Sequence, residues 1–413
     1  MQSKSRLWPF RGPLTSLILG FVLAGPAAAA TFTVDNLSDS GPGSLRQAVL
    51  DANAAVGADF IIFQAGLTGT ITLTSDEILI TDSVEITGPG AGVLAVHGND
   101  TSRIFRVQNA LVGVNATVSG LTLTHGSERF GGAVAVFGES LTLRSVVVSD
   151  SEALFSGGNV YVQAGSLTVQ DSTVSGGVTD DGGGIAVDEG LLVIDRSTVS
   201  DNQADNGGAI HTANTLAQIV SSTISGNSAT SNGGGFFGEA LSTFEVRHTT
   251  VSGNTAGSAG GSFYLQAQGI LALDHAIVAN GTPQDLVQVG SSISAVWSLI
   301  EAPAGAINGL NANNLLGVDA RLAPLADNGG PTQTHALLPD SPALNAGNPL
   351  IASAPATDQR GPGFARIVGG RIDVGSFEEQ AVESALAVPS LSEIGLVAMA
   401  ALLAGIGVLV IRR

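Results

Sequence analysis

A Gly-Gly-x-apolar element begins at Gly131, Gly157, Gly182, Gly207, Gly233 and Gly260, with successive spacings of 26, 25, 25, 26 and 27 residues. A second element, typified by Ser172-Thr173-Val174-Ser175-Gly176, keeps the same phase. Its apolar positions are Leu123, Val148, Val174, Val199, Ile224, Val251 and Val278. Two elements locked at one period mark a chain built from stacked copies of one unit. Within a copy the apolar residues alternate over short runs, Leu167 and Val169, then Ser172 and Val174, with a bend at Gln170-Asp171. Alternation with period two specifies strands. Each run is too short to bury a face alone, so neighbouring copies must pair in register along an axis, at roughly 4.8 Å per coil. The fold this predicts is all-β: a right-handed parallel β-helix, with Leu123 and its six equivalents forming one buried ladder. A leucine-rich repeat has a similar length but needs a Leu spacing and a helical half that are missing here, and a β-propeller needs a longer, four-stranded period.

The ends of such a solenoid expose strand edges and core, and they need covers. At the N-terminal side, Ser44-Leu45-Arg46-Gln47 is a capping box, and Leu45, Ala48, Val49 and Ala52 place one apolar stripe on the helix it starts. Strand-like runs follow at 60–63, 70–73, 78–80 and 84–86. Beyond Asn280 the period fades and proline becomes frequent from Pro324 to Pro362, which predicts a loop-rich C-terminal cap; Ser341-Pro342 reads as the start of a short helix.

The two termini predict export and anchoring. Lys4, Arg6 and Arg11, the apolar stretch from Leu14 to Ala24, and Ala28-Ala29-Ala30 form a secretory signal with cleavage before Thr31. Ile394 to Ile411 is free of charge and is followed by Arg412 and Arg413. As a helix it would span about 27 Å, enough for a bilayer core, with the arginines on the cytoplasmic side. The expected layout is a signal peptide at 1–30, a cap with irregular first coils at 31–109, β-helix repeats at 110–300, a C-terminal cap at 301–380, a linker with sorting motif at 381–395 and a hydrophobic anchor at 396–413.

Charge narrows the partners. Between Thr31 and Gly395 the chain has 11 arginines against all 35 acidic residues, a formal charge of −24, and Lys4 is the only lysine. Such a surface repels polyanions, which excludes nucleic acid and leaves acidic polysaccharides dependent on bridging cations. There is no cysteine, so disulfides contribute nothing.

Several segments resemble known families. Thr31 to Asp35 (TFTVD), Ser40 to Ala48 (SGPGSLRQA) and Asp51-Ala52-Asn53 resemble the opening of large bacterial surface β-helix proteins, including relatives of chlamydial polymorphic membrane proteins. Leu325 to Leu337 (LADNGGPTQTHAL), Ser341 to Leu344 (SPAL) with Ala346-Gly347, Asp358 to Gly361 (DQRG) and Asp373 to Glu378 (DVGSFE) resemble the choice-of-anchor Q domain. Pro389, Ser390, Leu391, Ser392, Glu393 and Gly395, with the apolar tail, resemble the IPTL-type C-terminal sorting signal, with Ser390 and Ile394 where that family usually has Thr and Trp. These resemblances imply a protein tethered at the envelope or surface of a Gram-negative bacterium, with a sorting enzyme acting on its tail. They imply no reaction.

Few residues suggest chemistry. Asp180, Asp181 and Asp205 precede Gly-Gly pairs and would stack into an oxygen-rich ladder of the kind calcium prefers, although Asp also serves simply as a turn former there. His248 and His275 are equivalent positions 27 residues apart, expected as an exposed polar pair on a bend. Asn202, Asn227 and Asn254 should bond amide to amide along the axis. Two close carboxylates, Asp180 with Asp181 or Asp188 with Glu189, could begin a glycosidase site. A lyase would have to use Arg144, Arg196 or Arg247 as its basic group. No catalytic motif emerges and no cofactor is expected beyond calcium. The favoured reading is therefore a non-enzymatic surface protein that binds glycans or cell surfaces; the alternatives are a polysaccharide lyase or glycoside hydrolase on the same scaffold, and a structural spacer.

Overall fold

A computed structural model describes residues 29–111, 113–350 and 354–380. The chain winds a right-handed parallel β-helix of about eleven turns. Each regular coil contributes one strand to each of three long sheets. Sheet 1 has twelve strands, from Thr31–Val34 to Asn311–Ala312; sheet 2 has eleven, from Gly69–Thr72 to Leu315–Leu316; sheet 3 has nine, from Ile78–Ile80 to Leu286–Gln288. In one coil the order is Val160–Gln163 in sheet 3, Ser166–Gln170 in sheet 1 and Thr173–Ser175 in sheet 2. A fourth side, which in some coils forms short parallel sheets (Ser127–Phe130 with Glu152–Ser156, and Gln203–Asn206 through Ser228–Asn232 to Thr255–Ala256), leads to the next Gly-Gly pair.

The register is that of the repeat. Leu123, Val148, Val174, Val199, Ile224, Val251 and Val278 pair coil by coil in sheet 2, and each has no exposed surface. Sheet 1 carries the matching ladder Leu141, Leu167, Leu192, Ala217, Phe244 and Leu271. Where aromatics enter the core they stack by the same rule, Phe236 on Phe263 at 4.4 Å between ring centroids.

The Gly-Gly pairs have two separate reasons. The first glycine turns the chain into sheet 3 with a left-handed backbone, φ +69° at Gly157 and +68° at Gly182, a region that costs other residues energy. The second has no room for a side chain: a Cβ on Gly158 would lie 2.3 Å from the Gly183 carbonyl oxygen, and one on Gly183 2.5 Å from that of Gly208.

Polar ladders lie beside the apolar ones. The Asn202 amide donates to Asn227 Oδ1 and the Asn227 amide to Asn254 Oδ1, both at 2.9 Å, and Asn159 donates to Asn202 Oδ1 at 3.2 Å. The same amides bond backbone carbonyls of the coil before, such as Val199 O at 3.0 Å for Asn227. A hydroxyl ladder runs parallel, with the amides of Ser172 and Ser197 donating to Ser197 Oγ and Ser222 Oγ, each at 3.1 Å.

The N-terminal helix, Leu45–Ala54, buries Leu45, Ala48, Val49 and Ala52. Ser44 caps it by accepting from the Gln47 amide, but the Gln47 side chain donates to Asp51 at 2.8 Å, so the capping box is half formed.

The loop-rich C-terminal segment has a lateral role that its sequence does not announce. Residues 320–350 and 354–380 lie along the outer side of sheet 2 across several coils. Gln359 reaches Thr198 and Thr223 hydroxyls at 3.0 and 2.6 Å, His335 meets Ser225 Oγ at 2.8 Å, and the Ser376 amide donates to Thr250 Oγ1 at 3.0 Å. Ile277, Ala279 and Leu299, which alternation would leave in solvent, pack instead against Leu337, Ala343, Val374 and Phe377. Ser341-Pro342 opens a turn, not a helix: Ser341 Oγ accepts from the Ala343 amide at 3.2 Å and donates to Ala320 O at 2.6 Å, which fixes the chain against the last coils.

No helix among the described residues is long and apolar enough to cross a membrane. The signal peptide, the sorting motif and the apolar tail lie outside the described residues.

The Asn ladder gives the fold its sharpest test. Asn227→Ala removes donors and acceptors that two neighbouring coils use and leaves buried amide and carbonyl groups unpaired, at about 1–3 kcal/mol per group. The variant should unfold at a measurably lower denaturant concentration with unchanged dependence on denaturant; an unaltered midpoint would contradict the ladder's role.

Candidate functional site

Four residues after the first glycine of each pair, sheet 3 presents an outward side chain. Successive coils hold Ala135, Tyr161, Ala186, His211, Phe237 and Tyr264 there, paired in register. His211 stacks on Phe237 at 5.3 Å and Phe237 on Tyr264 at 5.4 Å. Ala186, between Tyr161 and His211, carries no ring. Beside this position runs an open groove of about 470 Å³. Phe155 and Ser156, from the short strand Glu152–Ser156, and Asp181, bridged beside it, line it with Asp188 at the end of the sheet 3 strand Ile185–Asp188 and with Glu189 and Glu239 just beyond sheet 3 strands.

The groove is aromatic at one end and acidic along its length. Phe130 and Phe155 line it while 36% and 40% exposed, and Phe130 packs against Tyr161 at 5.0 Å between centroids. The Tyr161 hydroxyl donates to Asp188 Oδ2 at 2.8 Å; burial first, then this carboxylate, pushes the phenol pKa up, so the proton stays on tyrosine. His211 is 5% exposed, with Nε2 3.6 Å from Glu239 Oε1 and with a buried Nδ1 that has no protein partner. The imidazole beside Glu239 holds that carboxyl below its ordinary value. Tyr161, His211 and Glu239 escape a motif search because no two adjacent residues mark them. Their signal is a constant offset from the Gly-Gly pairs.

The acids expected as a calcium ladder lie on two neighbouring coils, each with its own partner. Asp181 stacks on Asn206, whose amide donates to it at 3.2 Å; Asp205 accepts from the Thr230 hydroxyl; Asp180 points to solvent while its carbonyl accepts from the Asp205 amide at 2.7 Å. Among the described residues no group of three or more His, Cys, Asp or Glu side chains is placed to hold a metal. Asp188 and Glu189 do reach the groove. Arg196 is tied to Asp171 and Asp195 at 2.8 and 2.7 Å, Arg247 to Glu245 at 3.0 Å, and Arg144 to Gln170 at 3.3 Å. None of the three lines the groove.

His248 and His275 do lie ring against ring, 5.0 Å apart and tilted by 31°, but not in solvent. They are 4% and 2% exposed because the C-terminal segment covers them. The Asn348 amide donates to His275 Nε2 at 2.9 Å, and His275 Nδ1 lies 2.6 Å from Asp274 Oδ1, which fixes the imidazole proton on Nδ1. The fully buried Arg366 donates to Asp373 O and Gly375 O at 2.9 and 2.6 Å and lies 3.4 Å from His248 Nδ1.

The segments that carry the anchor-domain resemblance are those that fasten this cover. Asp358 holds Arg360 at 2.6 Å, and the guanidinium is sandwiched between Phe364 and Phe377 at 4.0 and 3.8 Å. Gly330 passes so close that a Cβ there would lie 2.6 Å from Arg360 Cα.

No family model matches the chain, and no curated protein is similar to it. Among solved structures the crystal structure of pectate lyase Pel9A is similar, with a TM-score of 0.51 and 17% identity, covering 86% of this chain and 98% of that one. At that identity the likeness shows the fold alone.

The cover carries a pH signature. Burial, then the charges of Arg366, His275 and Arg247, lowers the His248 pKa to about 2, and burial lowers that of His335. Unfolding lets both imidazoles bind protons, so stability falls as pH drops below about 6.5. Glu378 runs the other way: burial, with Asp373 beside it, raises its pKa to about 8, so its contribution is lost as pH rises from about 4.5 through 8. Resistance of residues 320–380 to limited proteolysis should therefore peak between about pH 6 and 7. His248→Gln should flatten the acid limb; an unchanged limb would remove His248 from the account.

Proposed function

We propose that the protein is an exported β-helix that binds glycans at the cell envelope through the groove on sheet 3, without turning them over. The observation that carries this reading is the groove itself, in which two exposed aromatic rings and four carboxylates line one open channel beside a nearly buried imidazole. Exposed aromatic faces stack on the apolar faces of sugar rings, and carboxylates accept from sugar hydroxyls. In-register coils also suit a chain ligand, since they repeat similar contacts at a spacing of roughly 4.8 Å. Export and tethering are supported by the signal-like N-terminus, by the apolar tail, and by the resemblance of the covering segment to the choice-of-anchor Q domain and of the tail to an IPTL-type signal.

The second reading is a carbohydrate-active enzyme. What favours it is that Asp188 and Glu239 face one groove from equivalent positions two coils apart, roughly 10 Å along the axis, which is near the separation that inverting glycosidases use. The similarity to a pectate lyase adds only the scaffold, and among the described residues no Lys or Arg lines the groove itself.

Pull-down on a panel of insoluble and immobilised polysaccharides tests both. The wild-type protein should be retained by at least one glycan, and Phe155→Ala should lower retention roughly tenfold, the effect of about 1.4 kcal/mol of lost stacking. Retention equal in both proteins would reject the groove as the binding surface. Cleavage products that vanish with Asp188→Asn would replace binding by catalysis.

A further inference from the structure

We propose that the groove selects glycans bearing free amino groups, such as de-N-acetylated hexosamine chains; this rests on the glycan-binding reading and names its ligand class. The argument starts from unbalanced charge. Asp181, Asp188, Glu189 and Glu239 line one channel, and among the described residues no arginine pairs with any of them. Elsewhere on the coil the scarce arginines are spent on acids: Arg196 bridges Asp171 and Asp195, and Arg247 holds Glu245. The one lysine of the chain, Lys4, precedes the solenoid altogether.

Such a channel repels uronic-acid chains and gains no Coulomb energy from neutral ones, whereas an ammonium group between two carboxylates is attracted at each step. Local chemistry agrees. Asp188 is oriented by the Tyr161 hydroxyl at 2.8 Å, so its second oxygen is available to an N–H donor. His211 provides a separate reason to expect a ligand: it lines the groove, is 5% exposed, and its Nδ1 has no partner in the protein. Buried polar atoms are normally satisfied.

Titration calorimetry of the full chain with three soluble probes decides it: a glucosamine oligomer, the same oligomer fully N-acetylated, and an oligogalacturonate. At about pH 6, below the amine pKa, the glucosamine oligomer should bind at least tenfold more tightly than the acetylated one, and the galacturonate not at all. Raising salt to about 1 M, where the screening length falls to about 3 Å, should erase most of that preference. Asp181→Asn with Glu189→Gln, checked for folding by circular dichroism, should shrink the ratio below about threefold. Equal binding of the two hexosamine oligomers would overturn amine selection while leaving the glycan reading intact. Binding of none of the probes, together with failure of every glycan in the pull-down, would remove both. Competition by oligolysine as strong as that by the glucosamine oligomer would show a site that reads charge and no sugar, and would also overturn the proposal.

Discussion

Every interior strand in the solenoid bonds to the coil before and the coil after, so nothing pairs until neighbouring coils agree in register. That agreement is enforced at the Gly-Gly turn. A left-handed first glycine sets the direction of the chain, and a second glycine lets the backbone of one coil pass within contact distance of the next. Once register is fixed, any residue type placed at one position in successive repeats becomes a column. Aliphatic columns exclude water, the Asn159-Asn202-Asn227-Asn254 column satisfies buried backbone groups, and the outward Tyr161, His211, Phe237 and Tyr264 form a rigid polar and aromatic face.

A solenoid of this kind has two sorts of surface to protect. The helix Leu45–Ala54 covers core at the N-terminal side, in the ordinary way. The C-terminal segment protects a side, over a part of sheet 2 whose outward residues become Ile277, Ala279 and Leu299. Anchoring that segment takes buried polar chemistry: a guanidinium between two phenyl rings at Arg360, a fully buried Arg366, and imidazoles kept neutral at His248 and His335. The cover thus assigns two faces different tasks. Sheet 2 from Thr198 onward is occupied by the protein's own chain, and the sheet 3 groove is open.

How much of this could be read from the sequence follows from periodicity. The ladder from Leu123 to Val278, the strands and the amide column were legible because each is a property of one coil repeated. His248 and His275 were legible as a stacked pair, but not as buried ones, since burial comes from residues some 75 to 125 positions later. Asp181 and Asp205 are legible as positions before Gly-Gly pairs, while their hydrogen-bond partners, Asn206 and Thr230, follow only from the stacking of neighbouring coils. The groove was half legible. Asp188 and Glu189 stood out as a carboxylate pair, while Glu239, His211 and Phe155 come from coils with no shared motif, and only the packed structure brings them to one channel.

The division between a closed sheet 2 and a working sheet 3 is the centre of this account, and hydrogen–deuterium exchange with a retained glycan tests it directly. Added ligand should slow exchange at the groove, in segments 152–163, 186–191 and 211–216, and leave segment 355–378 of the cover unchanged. Protection confined to the cover, with the groove segments exchanging as in the free protein, would contradict it.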